Sequence, residues 1–351
     1  MSSPNSIFKI ELSFRDKEGV KYNLMAFGFT FVGYLLGVML LFSKNVFLNI
    51  LGVLLTAEAL IISAYLLHEF SHYSIFKTPQ MNALWGNIMS WINGSCYGTF
   101  EEIRNKHMRH HIDRADVVSF DMRRFIENLP IFFKGIVKFL EWLYIPVAEM
   151  MMHFFVIYLP FVTPKWHHKR MRIIVTLVIR ASIFILIFMV SPKAWFLYAL
   201  AYCIMLTALR FADTYQHTYD VFMVDDASKK DKTFEDDGKL RDEAYEQANT
   251  YSNLASIKHP WMNLLFLNFP YHNAHHVKPI VPWYKLPQFH QELYGKDDVA
   301  RPVIPMLYCL KSFHKHRLAR LESEGYGIIE SKAGGADNFV GVVGVSFLTA
   351  I

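Results

Sequence analysis

The stretch VFLNILGVLLTAEALIISAYLLHEFSH, residues 46–72, decides the fold. From Val46 to Leu67 it is apolar with one charge, Glu58, and that length lets a helix cross the hydrocarbon core of a bilayer. It then runs directly into His68 and His72. Residues three and four apart share a helix face, so these two imidazoles point at one place where a membrane-length helix ends. Two more clusters repeat the spacing, His107-Met-Arg-His110-His111 and His272-Asn-Ala-His275-His276, each near an apolar stretch. Eight of the 16 histidines therefore fall into three clusters. Imidazole is the commonest biological metal ligand, and three such points leave room for more than one metal.

Outward from that stretch, three further runs have the length of a span: Leu24 to Phe42 and Ala194 to Leu209 without charge, and Ile173 to Val190 with only Arg180. The connectors Ser43-Lys44-Asn45 and Ser191-Pro192-Lys193 are too short for anything but tight turns. The composition agrees, with 53% hydrophobic and 19% charged residues where soluble proteins average about a quarter charged. The net charge of +5 sits beside apolar segments and not along a helix face, which argues against nucleic acid and for an anionic bilayer surface as partner. Arg104, Lys106, Arg109, Arg114, Arg123 and Arg124, with Lys165, Lys169, Arg170 and Arg172, put the histidine side in the cytoplasm by the positive-inside rule.

The expected fold is thus an all-α integral membrane protein. Four transmembrane helices (24–42, 46–67, 173–190, 194–209) form two hairpins under a cytoplasmic helical cap that holds a di-metal site, in a single domain over 1–351 with both termini cytoplasmic. The N-terminal region lacks a secretory cleavage pattern, so the first hairpin is the targeting element. Residues 83–98 and 130–162 read as interfacial or re-entrant, 220–258 as a charged, exposed cytoplasmic insertion, and the tail 326–351 carries no assigned role. Glu58 and Arg180, each costly alone within a span, are expected to pair and lock the hairpins together.

With its HxxxH, HxxHH and HxxHH sequences ordered around two hairpins, the chain resembles the membrane fatty acid desaturase family from about Leu24 to His276. The resemblance implies two non-haem irons, with O2 as co-substrate, that remove hydrogens from an unactivated acyl chain. It also adds a ninth ligand, because family members often carry Gln-His-Thr after the last span and here Gln216-His217-Thr218 stands past Leu209. The implied ligand set is His68, His72, His107, His110, His111, His217, His272, His275 and His276. The substrate is a fatty acid, acyl thioester or acyl lipid, and the products open on this scaffold are an alkene by desaturation, a lipid alcohol, or a terminal 1-alkene by decarboxylation.

Several residues are candidates for supporting roles. Glu69, Glu101, Asp113, Asp116 and Asp213 are near enough in sequence to hold the rings by accepting their second N–H. Asn273 is placed either to orient a metal-bound water or to cap a turn. Trp85, Trp91, Tyr97 and Phe100 are candidates for an acyl tunnel or for interfacial anchors. Arg109 or Arg114 is placed either to seat a free carboxylate near the iron or only to neutralise the cytoplasmic face, and His167 and His168 would meet a phosphate or acyl-carrier headgroup. His153, His259, His290, His314 and His316 have no clustered partner.

Cys96, Cys203 and Cys309 show no CxxC spacing, so any iron must be held by histidine and electrons must come from an external donor such as a ferredoxin or cytochrome. Two other readings remain. His68-Glu69-Phe70-Ser71-His72 spells the HExxH of zinc proteases, which would make the chain an intramembrane metalloprotease but leaves two clusters unexplained. A metal carrier would instead line its membrane helices with ligands.

Overall fold

The structure, a computed structural model, describes residues 13–223, 240–295, 303–323, 325–327 and 336–350. Among the described residues, four helices are long and apolar enough to cross a membrane: α1 (Gly19–Leu41, with a π-helical turn at Phe29–Gly33), α2 (Val46–Ser71), α8 (Arg170–Val190) and α9 (Pro192–Gln216). Between the hairpins lie α3 (Pro79–Asn93), α4 (Phe100–Asp113), strand β1 (Asp116–Val118), α5 (Met122–Glu127), α6 (Ile131–Trp142) and α7 (Val147–Val162). After α9 come β2 (Val221–Met223), α10 (Glu243–Ala248), α11 (His272–Val277), α12 (Leu286–Tyr294) and α13 (Met306–Lys315). The parallel pair β1 and β2, Asp116 opposite Val221, ties the end of the second histidine cluster to the chain just past His217.

Local chemistry explains the tight hairpins. Asn45 caps α2 by accepting from the Phe47 and Leu48 N–H groups, and the Asn49 amide donates to the carbonyls of Leu40, Leu41 and Ser43 that α1 leaves open. α1 and α2 then approach closely through small residues: a Cβ on Gly52 would stand 2.9 Å from the Gly37 carbonyl oxygen. Lys193 at the second tip bonds Ser43 O and, at 3.0 Å, Asn49 Oδ1, so the two hairpin ends meet.

Hydropathy places the ends of two spans too early. α2 continues past Leu67 through Ser71 as one helix, carrying His68 to the core, and α9 continues past Leu209 to Gln216, delivering His217. The extension of α9 tolerates a charge because Arg210 is buried against Glu141 of α6, at 2.6 and 3.1 Å, and Glu149 of α7 at 2.9 Å. The expected Glu58–Arg180 pair does not form. α8 packs against α7 and α9, and the Arg180 guanidinium turns to the Trp91 carbonyl at 3.1 Å and Cys96 Sγ at 3.7 Å.

The main core is centred on the second half of α2, where Leu60 to Leu67 and Phe70 pack against Met205, Leu206 and Leu209 of α9, Phe269, Trp283, and Leu348 and Ala350 of the tail. α6 presents Ile131, Phe132, Phe133, Phe139 and Trp142 outward and Glu141 inward, the pattern of a helix lying in a membrane surface. Two readings change. Residues 224–239 of the expected insertion lie outside the described residues, but Glu246, Thr250, Ser252 and Leu254 in its second half are buried and not exposed. Most of the described tail is packed, with Phe339, Leu348, Thr349 and Ala350 buried: Lys106 Nζ donates to Ser346 O (2.6 Å) and Thr349 O (2.9 Å), and Ser119 Oγ to Thr349 O.

Candidate metal centre

The histidines arrive from four places. α2 supplies His68 and, at its C-cap, His72, and α4 supplies His107, His110 and His111. α9 ends on His217, and α11, a short helix, carries His272, His275 and His276. α4 starts where Thr99 and Glu102 exchange side-chain-to-backbone bonds in a capping box, which fixes the angle at which its histidine face enters.

Nine imidazoles form two groups, each with its ring nitrogens within 4.8 Å of one another: His68, His72, His107, His111 and His275 in the first, His110, His217, His272 and His276 in the second. Within the first, Nε2 of His107 lies 2.7 Å from Nε2 of His72 and 3.2 Å from Nε2 of His111. Within the second, Nε2 of His217 lies 2.8 Å from that of His272 and 2.9 Å from that of His276. One ring nitrogen carries either a proton or a lone pair, so such convergence cannot be satisfied by hydrogen bonds alone. The opposite nitrogens sharpen the point. His276 Nδ1 donates to Glu246 Oε1 at 2.8 Å and His110 Nδ1 to Ala115 O at 2.7 Å, leaving Nε2 of both rings as a lone pair aimed inward. A shared cation for each group resolves the geometry, and the all-imidazole donor set suits iron, copper, nickel or zinc over calcium or magnesium.

The carboxylates sort differently from their sequence neighbourhood. Asp116 Oδ1 stands 3.7 Å from Nδ1 of both His110 and His217, while its other oxygen accepts from the Tyr326 hydroxyl. Glu69 lies 3.6 Å from His68 Nδ1, but its Oε2 is committed to Ser74 Oγ (2.7 Å) and the Trp283 N–H (3.1 Å). Asp213 lines a cavity beside the histidines, whereas Glu101 is exposed and Asp113 is paired with Arg109. Asn273 does not face the groups: it bonds Ser252 and Thr250 and so anchors α11. Glu246, absent from the sequence reading, bridges His276 and Arg114 (2.9 Å). Burial raises its pKa, yet the bonds from His276 and Arg114 outweigh that and hold it below the usual carboxylate range. Replacing Glu246 by Gln is expected to weaken metal retention roughly 10–100-fold, the range for partners of ligating histidines, as read by metal content after chelator challenge.

Between the two groups and the tail lies a small cavity of about 40 Å³, walled by Lys106, Asp213, Phe269, Val345 and Phe347. The Phe347 ring stands 5.9 Å from those of His68 and His107. None of the aromatics named from sequence lines this cavity. Trp85 stacks on Phe27 at 5.2 Å, Phe100 is buried against Gly86, Trp91 is half exposed, and Tyr97 faces a different cavity. Arg114 is tied to Glu246, and His167 and His168 lie exposed in a 3₁₀ turn. Lys106, Asp213 and Phe269 of its wall adjoin the histidine motifs in sequence, whereas Val345 and Phe347 come from the tail, where no local pattern marks them.

Burial, reinforced by neighbouring rings, depresses the pKa of His107, His111, His272 and His275, and takes His110 down to about 3. Unfolded histidine titrates near ~6.5, so below that pH the unfolded chain binds more protons than the folded one. The stability these neutral rings contribute is present above about pH 6.5 and is lost as the pH falls. Metal-free protein in detergent should therefore melt at a lower temperature at pH 5.5 than at pH 7.5. An unchanged melting temperature would contradict the neutral assignment.

The family model described as fatty acid desaturase matches residues 45–304. No curated protein matches the chain.

Proposed function

Because this chain belongs to the fatty acid desaturase family, we propose that its two histidine groups hold a pair of non-haem irons and that it oxidises an unactivated C–H of a fatty acyl chain with O2, most simply by desaturation. The observation that carries the reading is the division of nine imidazoles, eight of them buried and His110 nearly so, into groups of five and four with converging ring nitrogens. Bound iron would supply O2 activation and C–H cleavage, which redox-inert zinc does not.

The chain's own residues do the rest. Glu246 and the Ala115 carbonyl keep His276 and His110 protonated on Nδ1, so that Nε2 faces inward. Phe269, Val345 and Phe347 make an apolar wall that keeps water from the reacting carbon. Desaturation removes two hydrogen atoms, that is two protons and two electrons, from the chain, and two further electrons and two protons from outside complete the reduction of O2 to two waters. The external donor is a ferredoxin or cytochrome, and the basic histidine side of the bilayer, cytoplasmic by its charges, is where it docks. Lipid hydroxylation and 1-alkene-forming decarboxylation begin with the same hydrogen removal and share this scaffold. The metalloprotease reading is opposed by the gathering of all three histidine clusters, where a zinc protease needs one, and by Glu69, whose Oε2 is held by Ser74 and the Trp283 N–H.

Gas chromatography with mass spectrometry of a host expressing the chain, against one expressing His272→Ala, tests this. A new double bond in the acyl pool, lost in the variant, is expected. An alcohol or a terminal alkene one carbon shorter would reassign the reaction, and an unchanged profile in a host supplied with iron and donor would overturn lipid oxidation.

A further inference from the structure

A second cavity, of about 370 Å³, opens between α7, α8, α9 and the turn at 94–97. Its volume is within the ~300–1,000 Å³ range of small-molecule sites. None of the nine clustered histidines lines it, so this cavity is separate from the metal centre. Its polar end is made by Arg180, His153, Tyr97 and Tyr202, and its body by apolar side chains such as Phe184 and Trp195. Gly94, in the left-handed region at φ 90°, keeps that end open: a Cβ there would stand 2.6 Å from the Tyr202 hydroxyl.

Arg180 is the unusual component. It sits ten residues from the α8 terminus at Val190, about 15 Å along the helix and near half the ~30 Å hydrocarbon thickness. Among the described residues no carboxylate lies within ion-pair distance of it, whereas Arg210 on the adjoining helix is held by two. Its hydrogen bonds to Trp91 O and Cys96 Sγ both leave from Nη1, and its remaining neighbours, the Tyr97 hydroxyl and the Phe184 ring, are uncharged. A guanidinium presents five donors in a planar fork, and the edge formed by Nε and Nη2 matches a carboxylate. An ionised side chain inside a span with a cavity beside it is by default a functional position, and a carboxylate is the partner that a guanidinium edge matches.

We propose that this cavity is a membrane-facing site for the carboxylate of a long-chain fatty acid, with Arg180 holding the head and the apolar body taking the first part of the chain. A single cation beside one narrow cavity matches a single-chain monoanion better than a two-chain phospholipid.

The test is photolabelling of the full chain in phosphatidylcholine nanodiscs with a diazirine-bearing fatty acid, read by peptide mass spectrometry. Labelling is expected near Met150 and Ala199, displaced by palmitate but not by methyl palmitate. Arg180→Gln should lower it roughly tenfold or more, as for loss of a charged hydrogen bond. Ala199→Phe fills the cavity and leaves the Arg180 bonds to Trp91 and Cys96 intact, so it separates occupancy from folding and should abolish the label. No label at these positions, displacement by the ester or by anionic phospholipid as readily as by the acid, or labelling that survives both variants would each overturn the proposal.

Discussion

A His217→Ala variant is expected to insert and fold like the parent yet lose acyl oxidation by more than about a hundredfold, beyond the cost of losing a mere supporting partner of a ligand. His217 is the C-cap of α9 with extended backbone, φ −138° and ψ 159°, so its ring swings off the helix axis toward α11. There its Nε2 meets those of His272 and His276 at 2.8 and 2.9 Å. Alanine leaves three imidazoles in a group of four, while the other group keeps all five. Product formation and iron content should fall together in the purified variant. Full activity with His217 removed would show that the second group is not a metal site.

The largest effect on stability is expected at Arg210. Its guanidinium is buried with Glu141 and Glu149, joining α9 to α6 and α7. Arg210→Met removes one partner and strands two buried carboxylates, a change that costs about 3–5 kcal/mol when a buried ion pair is broken. Replacing all three together by apolar residues of similar volume should recover most of the loss, because the desolvation cost disappears with the charges. Thermal unfolding in detergent reads both variants. A single variant as stable as the parent would mean that the cluster does not hold the cap to the second hairpin.

The parts of this molecule legible in its sequence are those written locally. Four apolar runs with two three-residue connectors give two hairpins, and spacings of three and four put eight histidines on shared faces; with His217, which only the family resemblance added, these are the nine that gather in two groups. What escaped is set by distant packing. Glu246 precedes its partner His276 by 30 residues and follows Arg114 by 132, and nothing near it in sequence marks it. The end of α9 moved because Arg210, which ends an apolar run, is neutralised by Glu149 and Glu141, two and three helices back in the chain. The tail had no assigned role since its function in the fold is only visible where Phe347 comes beside His68 and His107 and Lys106 clasps the carbonyls of Ser346 and Thr349. The Glu58–Arg180 pairing failed for the same reason, as complementary charge in two spans does not say which helices touch.

Metal analysis of the purified chain tests the central claim most directly. Inductively coupled plasma mass spectrometry should give two irons per chain, with His217→Ala retaining close to one, because the two groups draw on separate ligands. One metal per chain that persists in His217→Ala, or zinc in place of iron in a preparation that is active, would contradict the account of two histidine groups holding a pair of irons.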